Sequence, residues 1–183
     1  MKTSILILLL STTIGTTFGQ NLVKPKLFPY TENVMVKSVH DGDSYKVSKL
    51  SQGLPTKQTY WVRIAGANAP EVISNHITDN QPFGLESGDF ARKMLDGKIV
   101  KITAFSKDRY HRTIADVFYV DSVGTLRRLD SCLIANGLAM YRSNKTFKKG
   151  AILQKQVKKS KKGLWSQDKP ITDANWRKTH WVD

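Results

Sequence analysis

From Asn33 to Val120 the pattern of apolar and polar residues is mostly that of half-buried strands. Val34-Met35-Val36 with Val39 predicts a first strand, closed by the turn His40-Asp41-Gly42-Asp43. Ser44 to Ser48 predicts a second. Ser51 to Pro55 carries turn chemistry, and the aromatic, β-branched run Thr59 to Ile64 predicts a third. Lys98 to Thr103 and Thr113 to Phe118 predict two more, hinged by a charged turn from Lys107 to Arg112. Three stretches change period. Leu85 to Leu95 gathers Phe90, Ala91, Met94 and Leu95 on one helical face, and Leu129 to Asn136 reads as a second helix stopped by Gly137. Lys148 to Lys161 reads as a third, with Ile152, Leu153 and Val157 inward, lysines outward and Gly163 as its stop.

This order predicts an α+β chain with a mainly β core: a five-stranded barrel of the OB type with three packed α-helices. The domain is expected over residues 33–165, after an N-terminal extension over 20–32 and before an irregular tail over 166–183. The first 19 residues have the anatomy of a secretory signal peptide. Lys2 precedes the apolar run Ile5 to Leu10, and the small residues Thr17 and Gly19 precede a cut expected after Gly19. The expected location is therefore secreted or periplasmic. Cys132 is the only cysteine, so no intramolecular disulfide forms, and its apolar helical setting suits a small hydrophobe.

Charge adds a partner class. With 29 Lys+Arg against 15 Asp+Glu the formal net charge is +14, an excess whose commonest use is binding a polyanion through release of its counterions. A basic surface that adheres to anything acidic explains the number equally well, so charge does not decide.

Three short segments carry candidate chemistry. Asp41-Gly42-Asp43 offers two carboxylates on a turn, the oxygen donors that calcium or magnesium prefers, although Asp-Gly is also an ordinary turn sequence. Arg63, followed by Ile64-Ala65-Gly66-Ala67-Asn68-Ala69-Pro70-Glu71, sets a phosphate-binding fork near a carboxylate able to act as general base. Asp108-Arg109-Tyr110-His111-Arg112-Thr113 adds further guanidinium groups and an aromatic ring at a hairpin. Gly137-Leu138-Ala139 and Gly163-Leu164-Trp165 look like packing joints.

In this order, from about Val34 to Trp165, these segments resemble the staphylococcal nuclease (thermonuclease) family, and Trp176-Arg177 is similar to the tail of bacterial members. The resemblance implies an OB-type barrel that cuts DNA and RNA with one calcium ion and leaves 3′-phosphate ends; a monomer is expected. It implies a metal site of Asp43, Asn68 and the Ala69 backbone, with Asp41 behind it. It also implies Arg63 and Arg112 as phosphate-binding arginines, Glu71 as general base, and Tyr110 with Arg109 at the substrate. Two positions depart from the pattern. Asn68 stands where the family has a second metal carboxylate, which predicts weaker calcium binding. His111 stands where glycine is common, which predicts a histidine held in a positive-φ turn or, as the alternative, an added substrate contact. His40, beside Asp41, is expected to be a solvated turn residue. Two other readings compete: a non-catalytic nucleic-acid-binding module on the same barrel, and an adhesive protein for acidic polysaccharide or membrane surfaces.

Overall fold

The computed structural model describes residues 27–74 and 79–180. The expected signal peptide lies outside the described residues. The elements run β1 (Tyr30–Val39), β2 (Ser44–Ser51), β3 (Leu54–Ile64), β4 (Ala67–Asn68), α1 (Gly84–Leu95), β5 (Ile99–Lys107), β6 (Thr113–Val120), β7 (Leu126–Arg128), α2 (Leu129–Ala135), β8 (Met140–Tyr141), α3 (Gly150–Lys159), a 3-10 turn (Gly163–Ser166) and α4 (Asp173–His180).

The five long strands and three helices of the expected OB-type core are all present, and the alternation that predicted the strands is the burial pattern. Val34 and Val36 of β1, Tyr45 and Val47 of β2, Val62 and Ile64 of β3, Val100 and Ile102 of β5, and Ala115 and Val117 of β6 point into one core. Ala91 and Leu95 of α1 and Leu129, Leu133 and Ile134 of α2 cover it. The sheet order is β3-β2-β1-β5-β6-β7, and β3 also pairs with β6 in parallel, through Val62↔Thr113, Arg63↔Ile114 and Ile64↔Ala115. The pairings β3-β2-β1-β5-β6 therefore return to their start.

Five features differ from the sequence reading, the first being that Ile152 of α3, expected inward beside Leu153 and Val157, is 62 % exposed while Val157 is buried. β1 begins at Tyr30, inside the expected extension, because Tyr30 to Asn33 pair with Ala104 to Lys101 of β5. β7 is a three-residue edge on β6, and β4 and β8 form a separate two-residue pairing. The tail is not irregular throughout. Its residues 173–180 form α4, with the Thr172 hydroxyl accepting the Asn175 N–H at 3.2 Å at its start.

The two glycine joints do what packing joints require. Gly137 and Gly163 both have positive φ, and the Leu164 N–H donates to the Gly137 carbonyl at 2.8 Å. A Cβ on Gly137 would sit 2.1 Å from the Lys162 carbonyl oxygen, so neither position has room for a side chain. Cys132 is half-buried beside the core, where its sulfur accepts the Tyr119 hydroxyl at 3.4 Å.

Candidate active site

The acidic turn is fixed from two sides. The His40 N–H donates to the Ser44 carbonyl at 3.0 Å, and the Asp43 N–H to Asp41 Oδ1 at 2.9 Å. Gly42 allows the turn to press against α1, since a Cβ there would lie 2.0 Å from Ser87 Oγ. Both acids are buried, Asp43 to 2 % exposure. Burial, and then the neighbouring Asp43 carboxylate, push the Asp41 carboxyl well above the usual range.

Arg63 stands opposite Ser44 in the β2–β3 ladder, one strand away from the turn. Its Nη1 donates to Asp43 Oδ1 at 2.9 Å and its Nη2 to Asn68 Oδ1 at 3.0 Å. Burial works against its charge, but Asp43 and then Asp41 outweigh it and hold the guanidinium protonated more firmly than usual. Asp43 is fully engaged: Ser44 Oγ donates to Oδ1 and the Ala69 N–H to Oδ2, each at 2.9 Å.

Glu71 follows Pro70 in the loop after β4 and is 7 % exposed. Its backbone N–H donates to Gln81 Oε1 at 3.0 Å, and its carboxylate accepts Nη1 of Arg177, from α4. Burial raises its pKa while Arg177 opposes the rise.

Arg112 enters β6 from the charged hairpin. Its Nε donates to Asp108 Oδ2 at 2.8 Å and its Nη1 to Ser44 Oγ at 3.3 Å. Burial would raise the Asp108 pKa, but the side-chain and backbone hydrogen bonds it accepts from Arg112 outweigh this and lower it. The Tyr110 ring is 59 % exposed, with the Arg109 guanidinium 4.8 Å and the Arg112 guanidinium 5.4 Å from its centroid. His111 has φ 61°, the positive-φ turn expected of a residue standing where glycine is common. His40 is exposed at the acidic turn, edge-on to Trp61, also as expected.

Arg63, Asn68, Glu71, Arg109, Tyr110 and Arg112 all line one cavity of about 700 Å³. Asp41, Asp43 and Ala69 do not line it. Asp43 and Ala69 lie behind Arg63, joined to the cavity through its fork. Among the described residues no three acidic, histidine or cysteine side chains converge as a metal cluster. A cation at this place would depend on amide and carbonyl oxygens besides the carboxylates.

The model of the staphylococcal nuclease homologue family matches residues 61–167, more than half of the chain. The chain belongs to the staphylococcal nuclease family. The family match contains Arg63, Glu71, Tyr110 and Arg112, but begins after the acidic turn and ends before α4. Among its relatives, an uncharacterized endonuclease of Escherichia coli O157:H7 is 26 % identical over 159 residues, covering 82 % of this chain and 93 % of that one. A probable endonuclease of Komagataella phaffii is 26 % identical over 190 residues, covering 89 % and 82 %. The staphylococcal-like nuclease CAN1 of Arabidopsis thaliana is 24 % identical over 152 residues, covering 81 % of this chain and 43 % of its own.

Sequence reasoning gave no site role to three charged cavity residues. Arg142 follows β8, and Asp173 and Arg177 come from α4. The pair Asp173 and Arg177, four apart in a polar segment, was the one local signal of a helix there.

Proposed function

We propose that the protein is an exported, monomeric endonuclease that hydrolyses phosphodiester bonds of DNA and RNA and leaves 3′-phosphate ends. One observation carries this reading: Arg63, Glu71 and Arg112, from a strand, a loop and a hairpin, open on a single cavity. Attack of water on phosphorus builds negative charge on the non-bridging oxygens. Two guanidinium forks aimed at that charge stabilise it more than they stabilise the substrate, which is the requirement for catalysis. Arg112 is steadied by Asp108 for this task, while Arg63 is steadied by Asp43. Glu71 accepts the proton of the attacking water, and the burial that raises its pKa makes it a better base than a solvated carboxylate. Tyr110 and Arg109 flank the phosphate from the hairpin. The contacts address the backbone, so cleavage is indifferent to base.

The donor types are the oxygens calcium prefers, although Arg63 holds Asp43 Oδ1 and Asn68 Oδ1 and would have to share them with the ion. Asp41 and Asp43 are buried carboxylates two residues apart; burial first and the Asp43 charge second raise Asp41, and a hard cation would relieve both by holding the acids ionised. Asp43, the Asn68 amide oxygen and the Ala69 carbonyl would hold the ion, with Asp41 behind them. When bound, calcium supplies Lewis-acid charge to the reacting phosphate. With Asn68 in place of a carboxylate, affinity falls about ten- to a hundredfold.

A non-catalytic binding module is favoured by one fact, that Arg63 and Arg177 already cap Asp43 and Glu71. One assay separates the two readings. Mature protein is incubated with supercoiled plasmid, single-stranded DNA and RNA, with calcium and with chelator. Calcium-dependent cutting, lost in Glu71→Gln while gel retention persists, is expected. Retarded nucleic acid that stays intact overturns the nuclease reading.

A further inference from the structure

Helix α4 enters the cavity beside the strand end, loop and hairpin, although it lies beyond the family match. It is tied down at both levels of the chain. Gln81, 2 % exposed, accepts the Glu71 N–H with its Oε1 and donates its Nε2 to the Ile171 carbonyl at 2.7 Å. One buried amide thus joins the backbone that carries Glu71 to the segment that carries α4. From the helix itself, Arg177 donates Nη1 to Glu71 Oε1 and Nη2 to Asp173 Oδ2 at 3.1 Å. Asp173, 7 % exposed, also stands 3.8 Å from Nη2 of Arg63. Glu71, Arg177, Asp173 and Arg63 form one alternating chain of charges across the cavity wall.

We infer that Arg177 is a positioning residue for Glu71: α4 clamps one oxygen of that carboxylate and leaves the other for the attacking water. The inference rests on the nuclease reading, in which Glu71 is the base. Its chemistry is simple. A carboxylate on a loop samples several rotamers, and only those that point an oxygen at the water assist its deprotonation. Arg177 takes Oε1, and no described residue bonds Oε2. Asp173 fixes the guanidinium in turn, through an i,i+4 pair within the helix. Arginine suits the task because its planar fork reaches Glu71 and Asp173 at once, which an ammonium cannot do with the same geometry.

The test is a double-mutant cycle on calcium-dependent plasmid cleavage by the whole mature protein. Arg177→Ala is expected to lower kcat about ten- to a hundredfold, the scale of a mispositioned general base, with KM for DNA within about twofold. Arg177→Lys is expected to recover part of that loss. In the Glu71→Gln background, Arg177→Ala is expected to have no further effect, because a base that is absent cannot be mispositioned. Should Arg177→Ala fail to fold, as judged by circular dichroism, Arg177→Lys carries the same cycle. Losses that multiply in the double variant, or a rise in KM at unchanged kcat, overturn the inference while leaving the nuclease reading intact. A wild-type protein that binds but never cuts overturns both.

Discussion

Replacing Arg63 by lysine tests whether the fork, rather than the charge, does the chemistry. Arg63 is 7 % exposed and makes two directed bonds, to Asp43 at 2.9 Å and Asn68 at 3.0 Å. A lysine ammonium can keep the Asp43 carboxylate paired but cannot span to Asn68. The stability loss is then that of one charge-assisted hydrogen bond, about 1.5–3 kcal/mol. Arg63→Ala instead leaves Asp43, 2 % exposed, without its cation, and costs about 3–5 kcal/mol. For turnover, loss of one donor to a developing oxyanion is worth about 2.7–4 kcal/mol, or 10²–10³ in kcat. Arg63→Lys is thus expected to be folded and slow. Urea unfolding reads the first effect as a lower midpoint at unchanged slope, and initial rates of plasmid relaxation read the second. Turnover within about threefold of wild type in a folded Arg63→Lys protein would refute the assignment of the fork to the transition state.

Three further outcomes are expected. Asn68→Asp, placing a second carboxylate beside the Arg63 fork, should lower the calcium concentration for half-maximal cutting about tenfold or more; no shift would remove residue 68 from the cation site. Asp41 is raised by burial and by Asp43, so the folded state holds its proton more tightly than the unfolded chain does. Stability from this group is therefore lost as pH rises from about 3.8, the ordinary value, through the raised one. In chelator, Asp41→Asn should raise the melting temperature at neutral pH and have little effect near pH 3; equal shifts at both would contradict the cause. Arg128 bonds Asp116 at 2.6 and 3.0 Å and Asp130 twice at 2.8 Å, and both acids are buried. Arg128→Ala should cost about 3–5 kcal/mol in urea unfolding, and a loss below about 1 kcal/mol would show the acids to be satisfied without it.

What could be read from the sequence was what is local. Val34, Val36, Tyr45 and Val47 alternate because one sheet face is buried, so β1 and β2 announced themselves. Arg63, Glu71 and Arg112 were legible because each sits in a short segment whose order along the chain is distinctive. Helix α4 was hidden for a physical reason: in Asp173 to His180 only Asp173 is buried, so no apolar stripe marks it. It docks through polar contacts to Gln81 and Glu71, residues about a hundred positions away, which no periodicity reports. β4 and β8 escaped notice because two-residue pairings leave no period at all. Arg128 was equally silent, since its acids arrive from β6 and α2 only on folding.

The parallel contact between β3 and β6 is only three rungs long, and one of those rungs is Arg63↔Ile114. That seam sets the gap between the Arg63 and Arg112 guanidinium groups, because Arg112 immediately precedes its first β6 residue, Thr113. Short parallel ladders are among the weaker parts of a sheet and open locally at less cost than the long hairpins around them. Gentle warming should therefore unzip the seam first, and catalysis should fade several degrees before the bulk of the sheet gives way.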